Sequence, residues 1–585
     1  MSAPAPIRPA SLAVSRSNFG FSPDGREVAC VRTSEEISTL ELWDFGTANR
    51  SARPHSLRSR SLGTRPAHSR ASRFPQQRDG TARALHRGTV VDPSAQATPL
   101  GEGRVLLLTT DHELAELELI DTAAARSHLL GQVRAQEGYL LASPSAAQLG
   151  FLIAREDRER SAVWRITDGP PGVEPLVRLP GAASGGVWLD TDADLLALNL
   201  TRPDRRVEGV LVDLRRGSWQ PLFSLSADSD DRILLHHQGS KLLLVRSTAD
   251  GSDRLGWVVL DGASTVRFPD RLTSAHVPLA VDGGGQRVLL RRDSGALSAL
   301  ELYAPREDKL TPLSLPPGST GDRACLPGKV VRVPFSSPAR PSTLVTLAPS
   351  GACSTLPEDS EASELPPWAS ADLLRLGGGI EAIVYGGGQW RSCSHLVLAL
   401  HPLEDAVWRW EFHPLFQDLA AVGVAVIAAN HRDENGAWGA PGLPEILSLG
   451  HHLRSQRPGL PGSMLIGGGH GGRIALRAAG TAPDLWSGCA ALAPELLADD
   501  ELPRTITSVT SPLLLVHGVE DEVVPVQRAR QLRRAVAGLG AAGPELRYFE
   551  VAGDHRGVAA ATSGALRERI VSFCRGGTAP SPGSR

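Results

Sequence analysis

An aspartate and a histidine each follow an apolar strand near the end of the chain. Residues 512–517 predict a buried strand, and Asp521 lies on the loop after it. Residues 548–551 predict another strand, which leads to His555. Ligand-facing side chains in sheets of this kind gather at the carboxyl ends of the strands. A carboxylate that orients an imidazole makes the imidazole a general base, so we expect this pair to form.

A glycine-rich turn precedes these two side chains. Residues 467–472 read GGGHGG, between a short apolar strand at 463–466 and a helix that begins near residue 473. The same kind of turn carries the serine in the G-x-S-x-G motif of α/β-hydrolases, whose chain order is serine, aspartate, histidine. Gly469 stands at the serine position. We therefore predict a catalytic triad geometry at Gly469, Asp521 and His555 that lacks its nucleophile.

The segments GGGHGG, HGVEDEVVP and the loop with Asp554 and His555 resemble the prolyl oligopeptidase family, especially its acylaminoacyl and dipeptidyl peptidases. The resemblance covers roughly residues 370–575. It implies a C-terminal α/β-hydrolase domain behind an N-terminal β-propeller, with no cofactor. It also implies cleavage of short peptides or acylated amino acids through a serine ester, a step for which Gly469 supplies no hydroxyl.

The resemblance also assigns backbone N–H groups to the oxyanion. The amide of His470, just after the turn's apex, is one expected donor. The family's His-Gly-Gly-Pro turn is replaced by HPLE at 401–404, where Pro402 has no N–H and a fixed φ, so Leu403 is the remaining candidate. His401 and His431 are candidate pocket residues. His431 lies in NHRD at 430–433, which is similar to the family's Asn-Tyr-Arg-Gly.

No other residue is placed to act as the nucleophile. Ser463 begins the strand before the turn, and Cys489 lies within the next apolar strand. His470, His555 and Asp521 are suitable metal-ligand types, but nothing in their spacing selects for a metal, so we predict none. The stretch from the turn to Asp521 is shorter than is usual in the family. The resemblance therefore gives no expectation for substrate specificity.

The composition argues against several classes of function. A net charge of -3 gives no reason to expect nucleic acid or membrane partners. The 6 cysteines lack C-x-x-C spacing, which indicates neither a disulfide framework nor zinc. No apolar run approaches the ~20 residues of a membrane span, and the first residues lack a signal-peptide core. We expect a cytoplasmic protein, and the scarcity of lysine beside arginine indicates a GC-rich bacterial gene.

Residues 17–349 alternate short apolar strands with turns, as β-propellers do. Turn clusters recur near residues 22, 92, 143, 190, 237 and 282. About seven blades fit this region, and a β-sandwich is the alternative. From residue 368 to 575, strands alternate with helices, which is typical of a mainly parallel sheet covered on both faces. The predicted fold class is therefore multidomain β plus α/β, with a propeller and an α/β-hydrolase domain.

Four segments are predicted to lie outside these domains. Residues 47–88 are rich in Arg, Ser, Pro and His and contain a single acid, which predicts a disordered basic insertion in the propeller. A nucleic-acid-binding arm and an out-of-frame coding stretch are the alternatives. Residues 350–367, with three prolines and four acids, predict a linker. Residues 1–16 and 576–585 are predicted to be disordered.

Three functional hypotheses follow. In the first, the protein is a pseudoenzyme that binds a peptide, acyl or small-molecule ligand in the cleft between its domains. In the second, it is an enzyme of altered chemistry, in which His555 and Asp521 act as a general base for hydrolysis, cyclisation or isomerisation. In the third, it is an interaction protein that works through its propeller. An exposed His555 beside a void at Gly469 favours the second, and a pocket sealed by side chains favours the third.

Overall fold

The computed structural model describes residues 7–34, 37–46, 82–111, 113–226, 228–262, 265–357, 365–376, 378–386, 390–433, 436–497 and 506–576. The first two thirds of the chain form seven antiparallel sheets. Each sheet consists of consecutive strands of the chain, so every blade is a single continuous segment. The sequence's propeller prediction is confirmed, and the number of blades is seven.

The blades follow one another in chain order. Blade 1 contains β1 (Ser15–Phe21), β2 (Glu27–Ser34), β3 (Ile37–Asp44) and β4 (Arg83–Val90); blade 2 contains β5 (Gln96–Gly101), β6 (Arg104–Thr110), β7 (Leu114–Asp121) and β8 (Arg126–Arg134). Blade 3 contains β9 (Glu137–Ala142), β10 (Gly150–Arg155), β11 (Arg160–Ile166) and β12 (Val173–Pro180); blade 4 contains β13 (Ala182–Trp188), β14 (Leu195–Thr201), β15 (Val207–Asp213) and β16 (Ser218–Phe223). Blade 5 contains β17 (Asp231–His237), β18 (Leu242–Ser247) and β19 (Arg254–Val259); blade 6 contains β20 (His276–Val281), β21 (Val288–Ser294), β22 (Leu297–Ala304) and β23 (Lys309–Leu313). Blade 7 contains β24 (Ser319–Thr320), β25 (Val331–Ser337), β26 (Arg340–Leu347) and β27 (Cys353–Thr355).

Packing between blades explains the nearly continuous apolar runs of the central strands. In β6, Leu106 and Leu108 pack toward blade 3, whereas Val105 and Leu107 pack toward blade 1. Because successive side chains of a strand point to opposite faces, a strand buried on both faces must be apolar throughout. The ring closes where Phe19 and other residues of blade 1 pack on blade 7.

The structure corrects several boundaries expected from the sequence. Residues 83–88, assigned to the disordered insertion 47–88, belong to strand β4, while 47–81 lie outside the described residues. The segment 1–16 contains a 3-10 turn, Ala10–Leu12, and the first two residues of β1. The segment 350–367 contains β27, the last strand of blade 7. Of the predicted tail 576–585, only the first residue is described. Strands β4 and β27 are short or polar pairing segments, which the sequence reasoning took for unstructured chain.

The C-terminal domain contains one nine-stranded sheet in the order β28-β29-β31-β30-β33-β34-β35-β36, with β32 paired to β31. Its strands are β28 (Ala371–Arg375), β29 (Ile380–Tyr385), β30 (Leu396–Leu400), β31 (Ala425–Arg432), β32 (Trp438–Gly439), β33 (Ser463–Gly468), β34 (Trp486–Leu492), β35 (Leu513–Gly518) and β36 (Leu546–Val551). Its helices are α1 (Pro414–Ala421), α2 (Leu443–Gln456), α3 (Gly469–Thr481), α4 (Val526–Gly538), α5 (His555–Ala559) and α6 (Gly564–Cys574).

Two hydrophobic cores cover the two faces of this sheet. In β30, Leu398 belongs to one core, and Val397 and Ala399 belong to the other. Strands β31, β30, β33, β34, β35 and β36 pair in parallel in that order. Strand β32 pairs antiparallel with β31, and β28 and β29 form an antiparallel edge of the sheet. This is the doubly covered, mainly parallel arrangement that places ligands at the carboxyl ends of the strands. No helix in the described part of the chain is long and apolar enough to cross a membrane.

The segment between β30 and α1 joins the two domains. The Trp410 N–H donates to the Ala296 carbonyl at 2.7 Å, and the Phe412 N–H donates to the Ser336 hydroxyl oxygen at 2.9 Å. The Arg409 guanidinium lies 3.4 Å from Asp293. These bonds tie the segment to blades 6 and 7. The position of HPLE at its start therefore depends on both domains.

Candidate active site

Residues 467–469 form a sharp strand-to-helix turn, as the sequence predicts. Strand β33 ends at Gly468, and helix α3 begins at Gly469, whose φ of +44° lies in the left-handed region. A Cβ on Gly467 would lie 2.2 Å from the Gly471 carbonyl oxygen, and one on Gly468 would lie 2.0 Å from the Ala559 carbonyl oxygen. These glycines are required by close backbone approach, since no side chain fits at such distances.

Asp521 and His555 form the predicted pair. The His555 Nδ1 lies 2.8 Å from Asp521 Oδ2. The other carboxylate oxygen of Asp521 accepts from the backbone N–H groups of Val523 at 3.0 Å and Val524 at 2.7 Å. The Asp521 side chain is fully buried, whereas 12% of the His555 side chain is exposed. The carboxylate is thus fixed in position, and it holds the imidazole with Nε2 toward Gly469.

The structure adds a residue that the sequence reasoning missed, the fully buried His517. Its Nε2 lies 2.7 Å from the Val524 carbonyl oxygen and 3.2 Å from Asp521 Oδ2. Since a carbonyl only accepts, Nε2 carries the proton and is shared between the two oxygens. His517 is therefore a positioning residue for Asp521. Its spacing of four residues from Asp521, at the end of an apolar strand, was the available signal.

The position of a side chain on Gly469 is occupied by the segment after β30. A Cβ built there would lie 3.4 Å from His555 Nε2, close enough for a hydroxyl to meet the imidazole. It would also lie 2.7 Å from the Pro402 carbonyl oxygen, which is too close for any real Cβ. The turn therefore keeps the direction that a triad needs, but a backbone carbonyl fills the space that a nucleophile would use.

Both amides expected to bind an oxyanion are engaged within the chain. The His470 N–H donates to the Pro402 carbonyl at 2.9 Å, the kind of bond that an oxyanion hole makes to its substrate. The Leu403 N–H donates to His401 Nδ1 at 3.1 Å. The Pro402 carbonyl is thus directed into the site. In this conformation neither amide is open to a ligand.

The two candidate pocket histidines lie in different places. His401 lines a cavity of about 320 Å³ that also reaches His555. His431 instead lines a separate depression of about 310 Å³ with Glu445 and His452. Strand β31, which carries His431, lies between β29 and β30 and is two strands away from β33 in the sheet. The structure therefore does not place His431 in one pocket with His401.

The described residues contain no group of three or more His, Cys, Asp and Glu side chains that could hold a metal ion. The His470 imidazole is directed to Glu495, whose carboxylate lies 3.8 Å away. A larger cleft of about 840 Å³ separates the two domains. It is lined by Thr33 and Phe335 of the propeller and by Phe412 and Arg567 of the C-terminal domain.

We expect His413→Phe to remove part of the protein's sensitivity to mild acid. The His413 imidazole stacks on Phe416 with centroids 3.9 Å apart, and burial lowers its pKa to about 3. In the unfolded chain His413 is protonated below about pH 6.5, whereas in the folded chain it stays neutral down to about pH 3. The free energy of unfolding therefore decreases as the pH falls through this range. Between pH 7 and pH 5 the loss is about 2 kcal/mol.

Urea denaturation at both pH values measures this effect. Phenylalanine preserves the stacking, so the pH-dependent loss should shrink in His413→Phe by about 2 kcal/mol. The control His395→Gln, at an exposed position, should behave like the wild type. A His413→Phe variant with an unchanged pH dependence would show that His413 titrates normally.

Comparisons with known proteins agree with this architecture. Neither a protein-family model nor a curated protein sequence matches the chain. A puromycin-hydrolyzing peptidase from Mycobacterium tuberculosis superposes with a TM-score of 0.68 at 15% identity, over 98% of this chain and 97% of that one. The acylaminoacyl peptidase of Pyrococcus horikoshii gives 0.67 at 13% identity, over 96% and 95%. A puromycin hydrolase gives 0.62 at 15% identity, over 99% and 98%. The chain therefore has the two-domain fold of the prolyl oligopeptidase-family peptidases, a seven-bladed β-propeller with an α/β-hydrolase domain.

Proposed function

We propose that this protein is a pseudoenzyme of the prolyl oligopeptidase type, which binds a ligand without forming an acyl-enzyme. One observation carries the proposal: Gly469 offers no nucleophile, and the Pro402 carbonyl fills the adjoining space while accepting the His470 N–H. The turn thus has no nucleophile, and its expected oxyanion donor is already bonded within the chain. Loss of the nucleophile from such a unit costs about 10⁶ in rate.

The proposed ligand is a peptide, an acyl compound or another small molecule that enters the cleft between the domains. Support comes from the size of the cleft, about 840 Å³, which is within the usual range for ligand sites, and from its lining by both domains. We propose a cytoplasmic location, where the 6 cysteines, all free, would stay reduced. Neither nucleic acid nor a membrane is a proposed partner.

A second candidate is an enzyme that uses His555 as a general base on water or on the substrate. It is favoured by the 2.8 Å bond to Asp521 and by the partial exposure of the imidazole. A positioned histidine supplies about 10² to 10⁴ in rate, far less than the complete triad. The contact of Pro402 with the site argues against a water molecule placed at Gly469.

We expect the wild type and His555→Ala to hydrolyse acyl-amino-acid p-nitrophenyl esters at the same background rate, without a burst. Asp521→Asn serves as a second variant, because it leaves the imidazole in place but changes its tautomer. Thermal denaturation of each protein checks that the domain is folded. A loss of about tenfold or more in both folded variants would favour the general-base enzyme over the pseudoenzyme.

A further inference from the structure

A cavity of about 320 Å³ lies within the C-terminal domain, beneath the segment that joins β30 to α1. We call it the β30–α1 cavity. Its walls are mainly apolar and include Trp408, Leu415, Phe416, Ile466 and Leu492. Gly467, Gly468 and His555 line it as well, but Gly469 and Asp521 do not. It adjoins the interdomain cleft at Glu411, which lines both.

Aromatic rings give this cavity a defined shape. The Trp408 ring packs edge-on against His401 at 4.9 Å, His413 at 5.2 Å and Phe416 at 5.0 Å between centroids. The Trp408 N–H donates to Asn430 Oδ1 at 2.7 Å, and its indole N–H donates to the Ala399 carbonyl at 3.2 Å. Trp408 is thus fixed through both its backbone and its indole ring, so the aromatic wall is formed before any ligand binds.

The cavity wall carries little fixed charge, and Arg556, which also lines it, is exposed to solvent. Burial lowers the pKa of both His401 and His413, so these imidazoles are neutral at pH 7. Burial also raises the pKa of Glu411, which favours its protonated form. The Arg409 guanidinium is 3.4 Å from Asp293 and is neutralised there. An anionic ligand would exchange its hydration for a pairing with the solvent-exposed Arg556 only, whereas a neutral aromatic ligand has little hydration to lose.

We propose that the β30–α1 cavity binds a small uncharged aromatic molecule of one or two rings. The volume is roughly twice the ~150 Å³ of an apolar protein cavity known to admit benzene. Edge-to-face contacts with Trp408 and the neighbouring rings add to the burial of apolar surface. This binding is independent of the pseudoenzyme proposal, since it uses neither a nucleophile nor the bond between His555 and Asp521.

Titration calorimetry with indole as the probe tests the proposal on the full-length protein. Indole is expected to bind with a Kd on the order of 0.1–1 mM, as its few heavy atoms allow. Ala560→Leu should weaken binding about tenfold or more, because Ala560 lines the cavity from an exposed, helix-compatible position. Ala537→Leu makes the same change on exposed surface of α4 and should bind indole like the wild type.

Three results would overturn the proposal. The first is no heat of binding with the wild type up to about 5 mM indole, well above the expected Kd. The second is equal affinity for indole in Ala560→Leu and Ala537→Leu. The third is tighter binding of benzoate than of indole, which would show that a positive charge such as that of Arg556 controls binding. Ala560→Met replaces Ala560→Leu if the leucine variant does not fold, with the same expectation.

Discussion

Gly469→Ser alone should react poorly with a serine-directed fluorophosphonate, whereas Gly469→Ser combined with Pro402→Gly should react readily. A serine Cβ at position 469 would lie 2.7 Å from the Pro402 carbonyl oxygen, so the backbone of residues 401–404 must move first. Proline resists this movement because its ring fixes φ, and glycine permits it. The hydroxyl would then meet His555, already oriented by Asp521.

The rate of fluorophosphonate labelling, followed by intact mass spectrometry, measures this difference. We expect the double variant to react at least about tenfold faster than Gly469→Ser, since one restored oxyanion interaction alone is worth about 10² to 10³ in rate. Pro402→Gly alone, which carries no serine at the turn, is the control and should not label. Equal labelling of the single and double variants would show that residues 401–404 already move freely. No labelling of either would show that the triad geometry has been lost elsewhere.

Gly468→Ala should destabilise the C-terminal domain by about 3 kcal/mol or more, or prevent its folding. The added Cβ would lie 2.0 Å from the Ala559 carbonyl oxygen and 2.7 Å from the attached carbon. Both atoms are backbone, so relief requires α5 to shift away from β33. That shift would also move His555, the first residue of α5, relative to the turn.

Gly538→Ala is the matched control for this substitution. It makes the same chemical change at the last residue of α4, where a Cβ meets nothing within 4 Å. Because alanine is the better helix residue, it should stabilise the protein by up to about 1 kcal/mol. Urea denaturation of the two variants gives the comparison. A difference of less than about 0.5 kcal/mol between them would mean that β33 and α5 are not in close contact.

Much of the fold could be predicted from the sequence because its signals are local. Turn clusters between apolar strands indicate a propeller, and the change to alternating strands and helices marks the second domain. The errors arose where local signals are weak. Strand β4 carries polar side chains because it is an outer strand with exposed residues, so its sequence looks like the basic segment before it. Strand β27 is only three residues long. Strand β4 forms by pairing with β3, and β27 forms by pairing with β26. Local composition does not predict such pairing.

The parts of the candidate site that lie in recognisable sequence motifs could be predicted. The bond between Asp521 and His555 and the sharp turn at Gly469 come from intact motifs at the ends of β36, β35 and β33. The contact of Pro402 with His470 could not be predicted, because it joins segments 68 residues apart through backbone atoms alone. Proline at 402 indicated that the path differs from the family, but not where its carbonyl would point. The same reasoning overlooked His517, whose role depends on burial beside Asp521.

The central claim is that the unmodified protein cannot form a covalent acyl-enzyme at this turn. Intact mass spectrometry after prolonged exposure to a fluorophosphonate tests it most directly, with the Gly469→Ser/Pro402→Gly variant as the positive control. We predict that the mass of the wild type does not change under conditions that fully label the variant. An adduct on a wild-type serine, lost when His555 is replaced by alanine, would contradict the account by revealing another nucleophile that uses the same base.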